Sequence, residues 1–282
     1  MIPTVSSCLK KAVHFLKSAG VPEAEISAEE LLSHVLTRPR LSLYLEPDGE
    51  VDRAHESEFE TLLAKRAGRY PLQYLLGTAS FRNTVLGVGE GCLIPRPETE
   101  GLVGLVLNRL ATKSGSLKLL DVGAGSGNIA ISLTQERPEW FVTASDISHE
   151  ALRYAKINAD RNQVADRIRL IQTDLWNGIE GSFDALVSNP PYLTELELSS
   201  LQPEIEFEPR VALDGGEDGL SFFKRIICDA KGALKKEGFI FFEVGVGQAP
   251  AVSEILAANG FTAIQISKDD ADIDRFVSAI RV

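Results

Sequence analysis

The sequence predicts an α/β fold: a doubly wound, mainly parallel sheet in its C-terminal part, preceded by a small helical bundle and a β-hairpin. Three observations carry this. From about residue 117, short apolar runs rich in β-formers alternate with amphipathic stretches, as in a parallel sheet covered on both faces. The first of these strands runs into a glycine-rich turn that opens a helix. The polar residues of chemical interest then fall at carboxyl ends of strands, where open α/β sheets bind their ligands.

Residues 1–77 read as helices only. Leu9, Ala12, Val13 and Leu16 recur at three and four, and Gly20 and Pro22 end that helix. Ser27-Ala28-Glu29-Glu30 has the form of a capping box, with Leu31, Leu32, Val35 and Leu36 on the buried face beyond it. A short apolar turn at Leu41–Leu45 and a Pro47-Asp48-Gly49 turn follow. Phe59, Leu62, Leu63 and Ala67 mark the next helix, and Pro71–Leu76 a last short turn. This bundle carries no catalytic constellation and serves either as a substrate-docking unit or as a structural cap.

Residues 78–95 change character. Phe81, Val85, Leu86 and Val88 among Gly87, Gly89 and Gly91 read as a β-hairpin linker. Two prolines then frame Arg96, which is either an ion-pair partner or part of a substrate site, and Glu98 or Thr99 starts a helix. The remaining domain, 96–282, is expected to hold strands at 117–122, 141–145, 168–172, 184–188, 238–244, 261–266 and 275–281. Helices are expected at 127–136, 149–160, 218–235 and 248–259.

Composition narrows the function classes. The 282 residues carry a formal charge of −11 with no basic run. Non-specific nucleic-acid binding rests on phosphate neutralisation, so direct nucleic-acid binding is not expected. Cys8, Cys92 and Cys228 have neither metal nor disulfide spacing and are expected to be reduced, buried thiols; no metal site is expected. No apolar run reaches a membrane span and no signal-peptide core is present, so a cytoplasmic protein is expected.

The glycine turn reads Asp121-Val122-Gly123-Ala124-Gly125-Ser126-Gly127. Its G-x-G-x-G spacing differs from the G-x-G-x-x-G of dinucleotide sites, and it lacks the G-K-[ST] ending of a P-loop. An acid just before the glycines, Asp121, suits a cationic amino-acid group better than a pyrophosphate. The second strand ends at Asp146, about 20 residues on, where a carboxylate takes ribose hydroxyls. The third ends at Asp174-Leu175, an acceptor for an adenine amino group beside an apolar side chain. Together these describe a pocket for an adenosine with a charged amino-acid tail, S-adenosylmethionine (SAM).

The fourth strand stops at Asn189-Pro190-Pro191-Tyr192. An Asn-Pro pair alone is an ordinary turn. Here two prolines stiffen the corner and remove two donors, leaving the Asn189 side-chain oxygen and the Pro190 carbonyl as a rigid acceptor pair. Pro191 and Tyr192 add walls. Such a corner suits a planar –NH2 group, whose two N–H bonds need two acceptors. Asn189, Pro190 and Tyr192 are therefore the catalytic candidates. Asn189, Pro190, Pro191, Tyr192 and Arg96 are the substrate-binding ones, with Asn189 also touching the cofactor.

These residues resemble class I SAM-dependent amino-methyltransferases. With Ile94-Pro95-Arg96-Pro97-Glu98-Thr99-Glu100 and Glu208-Pro209-Arg210 through Asp214-Gly215-Gly216-Glu217-Asp218-Gly219-Leu220, the chain is more closely similar to the protein (glutamine-N5) methyltransferases of peptide-chain release factors, the HemK/PrmC family. The resemblance implies a Rossmann-like sheet of seven strands with the last antiparallel. It also implies methylation of the glutamine in the Gly-Gly-Gln loop of class 1 release factors. The competing expectation is an adenine-N6 nucleic-acid methyltransferase using the same Asn-Pro-Pro-Tyr corner. Ala124 stands where such relatives frequently carry threonine, and Leu175 where an aromatic can occur; both positions are expected beside SAM.

Overall fold

A computed structural model describes residues Ile2–Val282. The chain forms two compact units, one running to Thr78 and including Gln202–Phe207, the other comprising Ala79–Leu201 and Glu208–Val282.

The first unit is helical: α1 (Val5–Ser18), α2 (Ala24–Leu36), α3 (Arg40–Leu45), α4 (Arg53–Ala67) and α5 (Leu72–Leu76). Leu16, Leu31 and Leu32 are fully buried at its centre, each stabilising it by roughly 1.5–3 kcal/mol. Thr4 caps α1: its Oγ1 accepts from Ser7 N at 3.3 Å, and Ser7 Oγ accepts from Thr4 N at 3.0 Å. The capping box expected at Ser27 does not form. α2 begins three residues earlier, and Ser27 is buried, accepting from Arg66 Nε at 3.2 Å. A buried guanidinium needs partners more than an internal turn needs a cap. Glu204, from the returning segment, completes that set: it binds Arg66 at 3.0 Å and Arg69 at 2.6 Å. Burial opposes its charge, but the two arginines prevail and hold its carboxyl below the ordinary range.

A two-stranded hairpin follows, β1 (Thr78–Phe81) and β2 (Thr84–Gly87), all but its first residue in the second unit. The hairpin expected as a linker buries Phe81 and Leu86 in this unit's own core. α6 (Pro97–Arg109) follows, with Pro97 at its first position. The sheet contains β3 (Lys118–Val122), β4 (Phe141–Asp146), β5 (Ile168–Gln172), β6 (Phe183–Ser188), β7 (Leu234–Glu243), β8 (Phe261–Lys268) and β9 (Asp274–Arg281). Its order is β5-β4-β3-β6-β7-β9-β8; the pairs from β5 to β7 are parallel, and β9 runs antiparallel to both its neighbours. The expected seven-stranded sheet with an antiparallel last strand is therefore present.

Side chains alternate across the sheet. Leu119, Val187 and Phe241 point into one core, which includes residues of α6 and α7 (Asn128–Glu136). Leu120, Leu186 and Phe242 point into the other, with residues of α10 (Ser221–Ala233) and α11 (Ala249–Ala258). The remaining large helix, α8 (His149–Arg161), joins β4 to β5, and a single turn, α9 (Glu195–Leu198), follows β6. From β3 the chain steps outward to β4 and β5, then returns to lay β6 on the other side of β3. The switch point thus lies between the carboxyl ends of β3 and β6, where Val122 pairs with Ser188.

Two thiols are buried as expected, but Cys228 is exposed on α10. It lies on the solvent side of that helix, whose core face is Phe223, Ile226, Ile227 and Ala230. Among the described residues, no helix is long and apolar enough to cross a membrane.

Candidate active site

A cleft opens at the switch point. It is lined by Gly123, Gly125, Asp146, Asp174, Leu175, Asn189, Pro190 and Pro191, together with apolar residues including Leu93, Ile147, Val211, Phe222 and Ile226.

The glycine loop forms one wall. Gly123 and Gly125 take φ of +77° and +54°, and an added Cβ at either would meet nothing within 4 Å. They present bare backbone to the cleft. Ala124 and Ser126 instead turn into the protein, 1% and 2% exposed, and Gly127 packs on Ile131 and Ala155. The loop is anchored on both sides. The amides of Gly123 and Ala124 donate to the Ser145 carbonyl at 2.9 Å. Asn158, fully buried, donates to the carbonyls of Ser126 and Gly87 and accepts from Gly87 N.

Asp121 lies beneath the loop. Gly127 offers no side-chain cap for α7, and Asp121 Oδ2 does so instead, accepting from Ala130 N at 3.2 Å. Its Oδ1 is buried with no partner. Burial pushes its carboxyl up to about 7. Asp146 accepts from Gly125 N and Ser148 N, both at 2.8 Å. Burial raises its pKa as well, opposed by those amides. Asp174 is more exposed and paired with Arg225 at 2.6 Å. Leu175, at φ +55°, lines the cleft next to it.

The opposite wall is the corner after β6. Asn189 Nδ2 donates to Thr99 Oγ1 at 3.0 Å, and the Thr99 hydroxyl donates to Glu243 Oε2 at 2.7 Å. No described residue donates to Asn189 Oδ1 or to the Pro190 carbonyl. Tyr192 is not on the cleft. Its ring lies against Gly245, and burial first, then Glu243, pushes its phenol up to about 12. It stays protonated at neutral pH. Arg96 is not on the cleft either: its Nη2 binds Glu208 Oε1 at 2.5 Å, while Glu208 Oε2 accepts from Ile94 N. Of the two roles open to Arg96 in the sequence, the structure displays the ion pair.

The glycine-rich Asp214–Leu220 segment cradles the corner from behind. Leu193 N donates to the Leu213 carbonyl and Gly215 N to the Leu193 carbonyl, while Gln248 Nε2 donates to the Tyr192 carbonyl at 2.9 Å. A Cβ on Gly215 would fall 2.7 Å from the backbone of Tyr192 and 3.0 Å from that of Gly219. Backbone cannot swing aside, so Gly215→Ala should cost about 1–3 kcal/mol through overpacking and displace Asn189. A lowered thermal midpoint together with slowed turnover is expected; a variant with both unchanged would refute the cradle.

Sequence reasoning missed Thr99, Glu243, Ile147 and the Pro209–Ala212 flank of the cleft. Glu243 did leave a signal, an acid at the end of the apolar run Phe239–Phe242. Ile147 left another, an apolar residue directly after a strand-end acid.

Comparison with known proteins identifies the family. A family model described as the PrmC N-terminal domain matches residues 7–77, and one described as the methyltransferase small domain matches residues 103–204. A release factor glutamine methyltransferase from Thermodesulfovibrio yellowstonii is 42% identical over 253 residues, spanning 88% of this chain and 89% of that one. One from Moorella thermoacetica is 39% identical, spanning 99% of each. Among solved structures, a methyltransferase from Pyrococcus furiosus matches with a TM-score of 0.51 at 17% identity, over 80% of this chain and 98% of that one. The hMettl16 catalytic domain, solved with an RNA hairpin, matches with a TM-score of 0.59 at 18% identity, over 78% of this chain and 80% of that one. These two likenesses concern the fold alone. The extent of the full-length sequence matches decides the question: the chain belongs to the release factor glutamine methyltransferase family.

Proposed function

We propose that this chain transfers a methyl group from SAM to the side-chain nitrogen of the glutamine in the Gly-Gly-Gln loop of class 1 release factors. The observation that carries the reading is the pair of unengaged acceptors, Asn189 Oδ1 and the Pro190 carbonyl, on a stiff corner beside a glycine-walled cleft.

The residues present fit SAM. Gly123 and Gly125 leave room for a ligand against the backbone. Asp146 offers its carboxylate to a vicinal diol while holding the loop. The orphaned Oδ1 of Asp121 is an acceptor that a cationic amino-acid terminus would satisfy, and Ile147, Leu175 and Phe222 supply apolar surface for a flat base. When bound, SAM supplies an electrophilic methyl on a sulfonium.

The corner addresses the nucleophile. An amide nitrogen is weak because its lone pair is delocalised into the carbonyl. Asn189 Oδ1 and the Pro190 carbonyl each accept one N–H of the glutamine, which holds the nitrogen and favours a pyramidal geometry. Positioning at attack distance contributes roughly 7–11 kcal/mol. Acceptors set in advance for N–H bonds that become more acidic as charge develops contribute further. No strong base is required, consistent with a Tyr192 that stays protonated. The extra proton leaves the nitrogen after transfer.

The helical unit serves in this reading as a docking surface. Leu41, Tyr44 and Leu45 on α3 are 68%, 61% and 73% exposed, more apolar surface than a cap needs. The test is mass spectrometry of a release factor co-expressed with this chain, alongside methylation assays on DNA and RNA. One methyl on the Gly-Gly-Gln glutamine is expected. Labelled adenine with an unmodified glutamine would overturn the reading in favour of a nucleic-acid amino-methyltransferase.

A further inference from the structure

We propose that Glu243 and Thr99 are positioning residues that fix which end of the Asn189 amide faces the cleft. The inference rests on the reading of Asn189 as the acceptor for the substrate –NH2.

Hydrogen-bond polarity decides which end of the amide faces the cleft. The two ends of an asparagine amide are almost the same shape, so packing alone does not choose between them; the partners do. Oδ1 inward presents an acceptor to the incoming –NH2, whereas Nδ2 inward presents two donors to a group that itself offers donors. An ionised carboxylate only accepts. Glu243 therefore compels the Thr99 hydroxyl to donate to it, at 2.7 Å. With its single proton committed, Thr99 Oγ1 accepts from Asn189, so Nδ2 must be the atom turned toward it, at 3.0 Å. Oδ1 is left for the cleft. Thr99 and Glu243 are each 1% exposed, so water does not substitute for either. The arrangement explains a buried acid within an apolar strand, and it gives Thr99 of the Ile-Pro-Arg-Pro-Glu-Thr-Glu segment a task beyond starting α6.

The same logic makes the device sensitive to protonation. Glu243 is faced by Thr99 and Glu98 of α6, Arg275 of β9, and Asn189 and Tyr192 of the corner. Burial, as the dominant influence, pushes its carboxyl up to about 7 with help from the Glu98 charge, against the Thr99 bond, the Arg275 charge and a weaker direct interaction with the Asn189 amide. A protonated Glu243 donates to Thr99, whose hydroxyl then donates to Asn189. That reversed chain turns Nδ2 into the cleft. The productive polarity needs the charged form, so turnover should rise with pH through the Glu243 titration. Tyr192 stays neutral over this range.

The test measures kcat, substrate KM and SAM affinity across a pH series through neutrality, with a release factor as substrate. It compares the unmodified chain with Thr99→Val, Thr99→Ser and Glu243→Gln. Val matches threonine in shape but cannot relay the polarity, and Gln matches glutamate in shape but permits the reversed chain. Thr99→Val and Glu243→Gln should each lower kcat roughly 10- to 100-fold, with SAM affinity within about twofold of the unmodified chain. Thr99→Ser should restore most of the rate. The rise of kcat through neutral pH should disappear in Glu243→Gln. SAM binding by each variant reports that it is folded. Unchanged kcat in both isosteric variants would overturn the inference, as would a loss shared equally with SAM affinity or a serine variant no better than valine. An unmodified chain that leaves the release-factor glutamine unmethylated would instead defeat the functional reading beneath it.

Discussion

Asn189→Ala is expected to reduce kcat by roughly 10²–10³-fold, the scale seen when one preorganised hydrogen-bonding group is removed from a transition-state site. SAM affinity should change little. The asymmetry follows from the position of the side chain. Asn189 stands on the corner after β6, and its back is held by Thr99 rather than by the glycine loop. Truncation removes one of the two acceptors that hold the substrate nitrogen, and it leaves Gly123, Gly125 and Asp146 in place. Rate at saturating substrates, set beside calorimetric SAM binding, checks this. An equal loss of both would mean that Asn189 is a cofactor residue and not a nucleophile-positioning one.

Asp146→Ala should do the reverse. Its carboxylate accepts from Gly125 N and Ser148 N while facing the cleft at the end of β4. Hydrogen bonds to a charged group contribute about 1.5–3 kcal/mol each, so losing those to a ribose diol should weaken SAM binding by about 10²-fold. The Gly125 amide also loses its acceptor, which loosens the loop. With SAM in excess, kcat should recover most of its value. A dissociation constant for SAM equal to that of the unmodified chain would remove Asp146 from the ribose position.

The sheet and the location of the cleft were legible in the sequence because both depend on local signals. β3, β4, β5 and β6 announce themselves as short apolar runs, and their carboxyl-end residues follow from counting. What escaped was set by contacts distant in sequence. Ser27 has a capping-box spacing, yet Arg66, 39 positions on, claims its hydroxyl. Arg96 left two roles open in the sequence, and only Glu208, 112 positions on, decides for the ion pair. Tyr192 stands three residues beyond Asn189, but the cradle of Asp214–Leu220 turns the chain so that its ring meets Gly245 and not the cleft. Ala124 and Ser126 share a loop with Gly123 and Gly125, and alternate residues of that loop face opposite ways. The link from Asn189 through Thr99 to Glu243 joins three elements and spans 144 positions between Thr99 and Glu243. No spacing rule reports such a connection; only the buried acid hinted at it.

Glutamine recognition at one amide edge is the point on which the account turns. A crystal structure with S-adenosylhomocysteine and a glutamine-bearing substrate loop, at a resolution that separates nitrogen from oxygen, measures it directly. Asn189 Oδ1 and the Pro190 carbonyl are each expected within hydrogen-bond distance of the glutamine nitrogen, with Nδ2 on Thr99. A glutamine nitrogen held elsewhere, or an Asn189 turned with Nδ2 toward it, would contradict the account.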